Sequence, residues 1–208
     1  MYSIGYFVIA IVDMALLVWA FSICKRYPNP AVILATVPLL LLWFDNFTVA
    51  LGGTLGEGQP LLAMNYVRFL AHYTLLPAAI IAIGSMARLA GFKIAQSKLF
   101  LAAFCIIATY FGIHDLYLFS QSSFYPSCFA DTLRYTTHIS EATACSPDAE
   151  IGAGFKIMPF PALTLSFMTL TLGVFLWWRL GWKWLFLGAI GALPLFAIPY
   201  GPTGGIFG

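Results

Sequence analysis

Long apolar runs, broken only by short polar stretches, occupy most of the chain. Six of them have roughly the 20 residues that a helix needs to cross a ~30 Å hydrocarbon core. They span 4–24, 32–52, 66–90, 99–119, 160–178 and 184–200. The runs are continuous, whereas a transmembrane barrel alternates apolar and polar residues over roughly ten-residue segments. The pattern therefore predicts an all-α fold: a polytopic integral membrane protein, a bundle of about six transmembrane helices with a long outer loop at 120–159. A single membrane domain, 1–208, accounts for the whole length.

Composition agrees with the pattern. The 208 residues are 61% hydrophobic and only 9% charged, against about 25% charged in a soluble domain. No basic cluster points to nucleic acid, and the expected partner is the lipid bilayer. The first run resembles no cleavable leader. MYSIGYF carries no Lys or Arg, and no small-residue cleavage site precedes Lys25 and Arg26.

Basic residues set the expected orientation. Lys25, Arg26, Arg88, Lys93, Lys98, Arg179 and Lys183 fall in the three turns on one side, seven of the ten Lys and Arg in the chain. By the positive-inside rule that side is cytoplasmic. Both termini and the connections 53–65 and 120–159 are then non-cytoplasmic. Trp177, Trp178, Trp182 and Trp184 fit an interfacial belt on the inner side. Cys128 and Cys145 both fall in the long outer loop, where a disulfide can persist, and a bridge between them is expected. Cys24 and Cys105 read as small packing residues. A connection of this length is more than a link between helices. It is expected either to cap the bundle or to dock another protein, with a short helix over 131–139.

The ionisable residues within the spans are unevenly placed. Asp13, Asp45, Arg68, His72, His114 and Asp115 all fall in the outer half, and the inner half has none between the interfaces. Charges at such depth are costly and mark a site by default. Asn65, Arg68 and His72 recur at i, i+3 and i+7 and share a helix face. Asp45 and Asn46 reach the same level from the second span. His72 and His114, on antiparallel neighbours, fall at similar depth. His114 and Asp115 point about 100° apart, as adjacent helical residues do.

Four chemistries fit this set. One is a hydrogen-bonded network that glues helices together, for example Arg68 with Asp45 or Asp13. Another is a metal site from His72, His114 and Asp45, although no HExxH pairing accompanies them. A third is ligation of haem or a pigment by His72 and His114. The fourth is a pocket for a lipid or isoprenoid-like amphiphile. There Arg68 holds an anionic group, Asn46, Asn65, Asp115 and Asp13 complete the polar lining, and His72, His114 or Asp45 transfers protons.

The remaining signals are weaker. The stretch 52–58, GGTLGEG, lacks the GK[ST] ending of a phosphate loop and reads as a turn with positive φ at some glycines. Glu57 lies within reach of the polar level, and His138 is a loop residue able to join a metal site if the loop folds over. Pro38, Pro77 and Pro194 lie inside spans, where kinks are tolerated. Gly188, Gly191 and Ala192 give the sixth span a small-residue face, and the tail GPTGGIFG is expected to be flexible or ordered by a partner. The leading expectation is a membrane protein with an outward-facing intramembrane polar pocket that binds, and acts on, a small amphiphile. The alternative is a non-catalytic accessory subunit of a larger membrane complex, cofactor- or pigment-binding.

Overall fold

Every predicted apolar run is a helix in the computed structural model, which describes residues 2–129, 131–155, 157 and 160–197. The helices are α1 (Tyr2–Arg26), α2 (Pro30–Leu55), α3 (Gln59–Leu89), α4 (Lys98–Ser120), α5 (Phe160–Leu180) and α6 (Trp184–Ala197). Five of them, α1 to α5, are long and apolar enough to cross a membrane. The described part of α6 has 14 residues. The predicted last turn of that span and the GPTGGIFG tail lie outside the described residues.

Local chemistry sets the helix starts. Asn29 accepts a hydrogen bond from the Ala31 N–H, and Pro30 occupies the first turn of α2, where its missing N–H costs nothing. Ser97 caps α4 through the Phe100 N–H. Pro38 and Pro77 sit within α2 and α3 without ending either helix.

Two boundaries differ from the expectation. α2 runs on to Leu55 and α3 begins at Gln59, so the connection expected over 53–65 is only three residues long. Gly52 and Gly53 are helical, and only Gly56 and Gly58 take positive φ. Gly52 is there for space: a Cβ on it would lie 1.6 Å from the Leu133 carbonyl oxygen.

α1 to α4 pack in sequence, α5 returns to α3 while barely touching α4, and α6 packs on α5. The apolar core gathers where α3, α4 and α5 meet, around Ile80, Ala87, Phe104, Ala108 and Leu172. Gly84 admits the Phe104 ring, which its Cβ would meet at 2.8 Å.

The long connection after α4 is folded. β1 (Tyr125–Phe129) pairs antiparallel with β2 (Thr132–Thr136), so the helix expected over 131–139 is a strand instead. Thr132, Tyr135 and Thr136 are residue types that suit a strand. A Cys128–Cys145 disulfide ties the hairpin to the segment beyond it, and bridges from Ser127 to Ala144 and from His138 to Gly154 extend the contact.

The hairpin sits on the ends of three helices. Leu133 and Tyr135 pack with Leu61 of α3. The Leu133 backbone rests on Gly52 of α2. Asp131 accepts from the Tyr2 and Ser3 N–H groups at the start of α1, at 2.8 and 3.3 Å, where a carboxylate satisfies orphan donors and opposes the helix dipole. Tyr135 accepts from the Gly58 N–H at 3.2 Å. The loop is thus a cap on the bundle, built into it at each contact.

Candidate functional site

The polar residues within the spans gather beneath this cap. Arg68 of α3 is nearly three turns into its helix, because α3 starts earlier than the hydrophobic pattern implied. Its Nε donates to the Asp45 carboxylate of α2, forming a buried ion pair. Its Nη1 donates to Asn65 Oδ1 at 3.0 Å, and Asn65 Nδ2 donates to the Leu61 carbonyl at 2.8 Å. The i, i+3 spacing of Asn65 and Arg68 on one face is what permits this bond. One turn further on, His72 has its Nδ1 3.1 Å from the Arg68 carbonyl and lies within electrostatic reach of Asp45.

A second bond ties α1 to α2. Asn46 Nδ2 donates to Asp13 Oδ2 at 2.8 Å and to the Leu42 carbonyl at 3.0 Å. Asp45 and Asn46 are adjacent in the chain, so one turn of α2 holds both neighbours: α3 through Asp45 and α1 through Asn46. All of these side chains except that of His72 are buried.

His114 and Asp115 form a separate pair. His114 Nδ1 lies 2.9 Å from Asp115 Oδ1, although their Cβ directions diverge. Asp115 points into the bundle and is buried, while the His114 side chain is 41% exposed and stacks on Tyr110. No described residue bonds its Nε2. His72 and His114 therefore bond to different partners, His72 to the Arg68 carbonyl and His114 to Asp115. Among the described residues no three His, Cys, Asp or Glu side chains come together as a metal site requires. Glu57 is exposed, and His138 is half-buried and bridged to Gly154 through its backbone.

The hairpin brings a residue that the hydrophobic pattern did not single out. Arg134 lies between Leu133 and Tyr135, whose side chains face α3, and strand alternation turns it the other way. It is only 6% exposed and lies within electrostatic reach of Arg68, Tyr6 and Asp45. Burial and the Arg68 charge push its pKa down to about 10. The signal in the sequence was a lone Arg inside the span bracketed by Cys128 and Cys145.

Two apolar grooves lie elsewhere. One, of about 400 Å³, is lined by Phe92, Phe100, Phe104, Met168 and Phe175 near the basic end of the bundle. The other, of about 310 Å³, lies between α3 and α4 beside Tyr73, Pro77 and Gly112. Neither is lined by the charged residues. Comparison with protein-family models, curated proteins and solved structures returned no match to the chain.

Proposed function

We propose that the chain is a multi-pass membrane protein that binds a small amphiphile, holding the polar head in the cluster beneath the β-hairpin. The observation that carries this reading is convergence. Asp13, Asp45, Asn46, Asn65, Arg68 and Arg134 come from four segments, α1, α2, α3 and β2, and are buried together in an otherwise apolar bundle. Helix association alone draws only ~0.6–2 kcal/mol from each polar contact in a membrane, and it needs no hairpin arginine.

In this reading the hairpin is the lid, the head group approaches Arg68 and His72, and the amphiphile's chain lies along the lipid-facing helices. His72 keeps Nε2 for the head group while Nδ1 faces the Arg68 carbonyl, and Asp45 steadies Arg68. The hairpin end faces the non-cytoplasmic side, because seven of the ten basic residues lie in the turns at the other end. In this reading α6 is a sixth crossing, and both termini lie on the hairpin side.

The test is purification in a mild neutral detergent, followed by mass spectrometry of what remains bound. A lipid-like species near one per chain, lost in His72→Ala or Arg68→Ala variants that still fold, is the expected result. Binding of nothing beyond the bulk lipid mixture, with no stabilisation by any added amphiphile, overturns the reading.

His114 favours a second reading, an accessory subunit of a membrane complex. A half-open imidazole bonded to buried Asp115 on the flank of α4 is suited to meet a polar group on a neighbouring helix, or a haem or pigment metal. A bonded carboxylate is the usual support for a ligating histidine. Co-purification of a defined partner or a visible absorption band, either one lost in His114→Ala, distinguishes this reading.

A further inference from the structure

One of the two arginines in the polar cluster has no carboxylate bonded to it among the described residues. Arg68 takes the Asp45 carboxylate. Asp13 is engaged by Asn46. Arg134 lies close enough to both members of the Arg68–Asp45 pair to feel their charges, yet no described residue hydrogen-bonds or ion-pairs with its side chain. An uncompensated buried charge costs several kcal/mol in a folded protein. Every fully sealed side-chain nitrogen or oxygen among the described residues has a partner. No described residue partners the Arg134 guanidinium, and none of its nitrogens is a fully sealed atom without a bond.

The backbone commits Arg134 to this place. β2 is pinned on α2 by the Leu133–Gly52 contact and on α3 by Leu133 and Tyr135 against Leu61. The Cys128–Cys145 disulfide holds the neighbouring strand. Arg134 lies between these two anchored residues and is buried.

We propose that Arg134 and Arg68 form a binding site for an anionic group, a phosphate or carboxylate, seated between the β-hairpin and helices α2 and α3. The inference rests on the amphiphile reading for the source of that group, the head of a bilayer lipid. Guanidinium forks suit such oxygens through paired N–H donors. A bound anion would give Arg134 the acceptor oxygens that no described residue supplies. Tyr6 adds a phenol at the same level.

The experiment follows thermal unfolding and binding in neutral detergent micelles. The probes are phosphatidate, diacylglycerol of the same chains, and inorganic phosphate, each titrated against the wild type, Arg134→Gln and Arg134→Lys. A ligand that binds only the folded state raises its stability by mass action. Phosphatidate is expected to bind at least tenfold more tightly than diacylglycerol. Arg134→Gln should abolish that preference and, without ligand, unfold no earlier than the wild type, since it removes an unpaired charge. Arg134→Lys should keep part of the preference, because it keeps the charge and loses the fork. If Arg134→Gln fails to fold, the Lys variant carries the test, and an undiminished phosphatidate preference in it overturns the arginine fork.

Equal binding of phosphatidate and diacylglycerol, unchanged in Arg134→Gln, overturns the anion site and leaves the amphiphile reading standing. Binding of inorganic phosphate alone, lost in Arg134→Gln and not improved by lipid chains, supports the anion site and overturns the amphiphile reading. No response to any probe overturns both.

Discussion

Arg68 and Asp45 meet beneath a β-hairpin with almost all of their surface covered, whereas His114 and Asp115 meet on the flank of α4 with the imidazole half-exposed. The first pair joins residues 23 apart in the chain and exists only once α2 and α3 have packed. The second joins sequence neighbours and needs only one turn of α4. Both place a buried aspartate beside a basic group, yet only the first joins two helices. Depth alone does not tell a structural charge from an exposed one. What tells them apart is how many segments must be in place before the pair exists.

The sharpest way to break this contrast is to remove Asp45. Asp45→Ala leaves the Arg68 guanidinium buried without its carboxylate, and Arg134 loses the nearby Asp45 charge. Breaking a buried ion pair from one side costs ~3–5 kcal/mol. The expected result is a marked fall in folded yield and in unfolding temperature in detergent. Asp45→Ala combined with Arg68→Leu should recover a large part of the loss, because no stranded charge remains at position 68. A single variant that unfolds like the wild type would show that the pair holds nothing.

The disulfide comes next in size. Cys128 and Cys145 are 17 residues apart, and closing a loop of that length stabilises by about 3 kcal/mol in the chain-entropy account. A Cys128→Ser, Cys145→Ser double variant should loosen the cap before the helices. Protease cleavage should appear first within 121–155, with α1 to α4 still protected. Simultaneous loss of helix and hairpin protection would mean that the cap and bundle are one cooperative unit.

Gly52 sharpens the comparison at its hinge. A side chain there meets the Leu133 carbonyl, so Gly52→Val must push the hairpin off α2. Overpacking of this kind costs ~1–3 kcal/mol. Hydrogen exchange in 125–136 should rise while the His114–Asp115 pair on α4 stays as it was. Unchanged exchange in the hairpin would mean that α2 gives way in its place.

The spans and the level of the charges were readable because both depend on composition over long windows. Twenty apolar residues leave few alternatives to a helix in lipid, and seven basic residues in three turns define one end. The pairing of Cys128 with Cys145 was readable because both fall in one connection. The hairpin was not. A segment such as 132–136 is a strand only when another segment pairs with it, and that partner, 125–129, carries Pro126, a poor advertisement for a strand. The early start of α3 was hidden by Gln59 and Asn65, polar residues that end an apolar window but not a helix; Asn65 back-bonds to Leu61. Arg134 was out of sight for the same reason as the hairpin, since its burial depends on what β2 docks against. The His114–Asp115 bond is not legible from Cβ directions, which diverge by about 100° between adjacent helical residues, because it depends on side-chain reach. The imidazole Nδ1 lies close to its own backbone and can turn back to a neighbour.

The smallest effect is expected at His114. His114→Ala leaves the Asp115 carboxyl without its one described hydrogen-bond partner, which costs about 1–3 kcal/mol for a buried acceptor. The lower end applies here, because the carboxyl can take up a proton and so escape carrying an unpaired charge. Asp115→Asn added to His114→Ala should return most of the stability, since the amide carries no charge to strand. Thermal unfolding of the two variants beside Asp45→Ala measures the contrast directly. If His114→Ala proves as costly as Asp45→Ala, the open pair is as structural as the covered one. The exposed imidazole would then be part of what holds α4 in the bundle, and its free Nε2 would say nothing about a partner or cofactor.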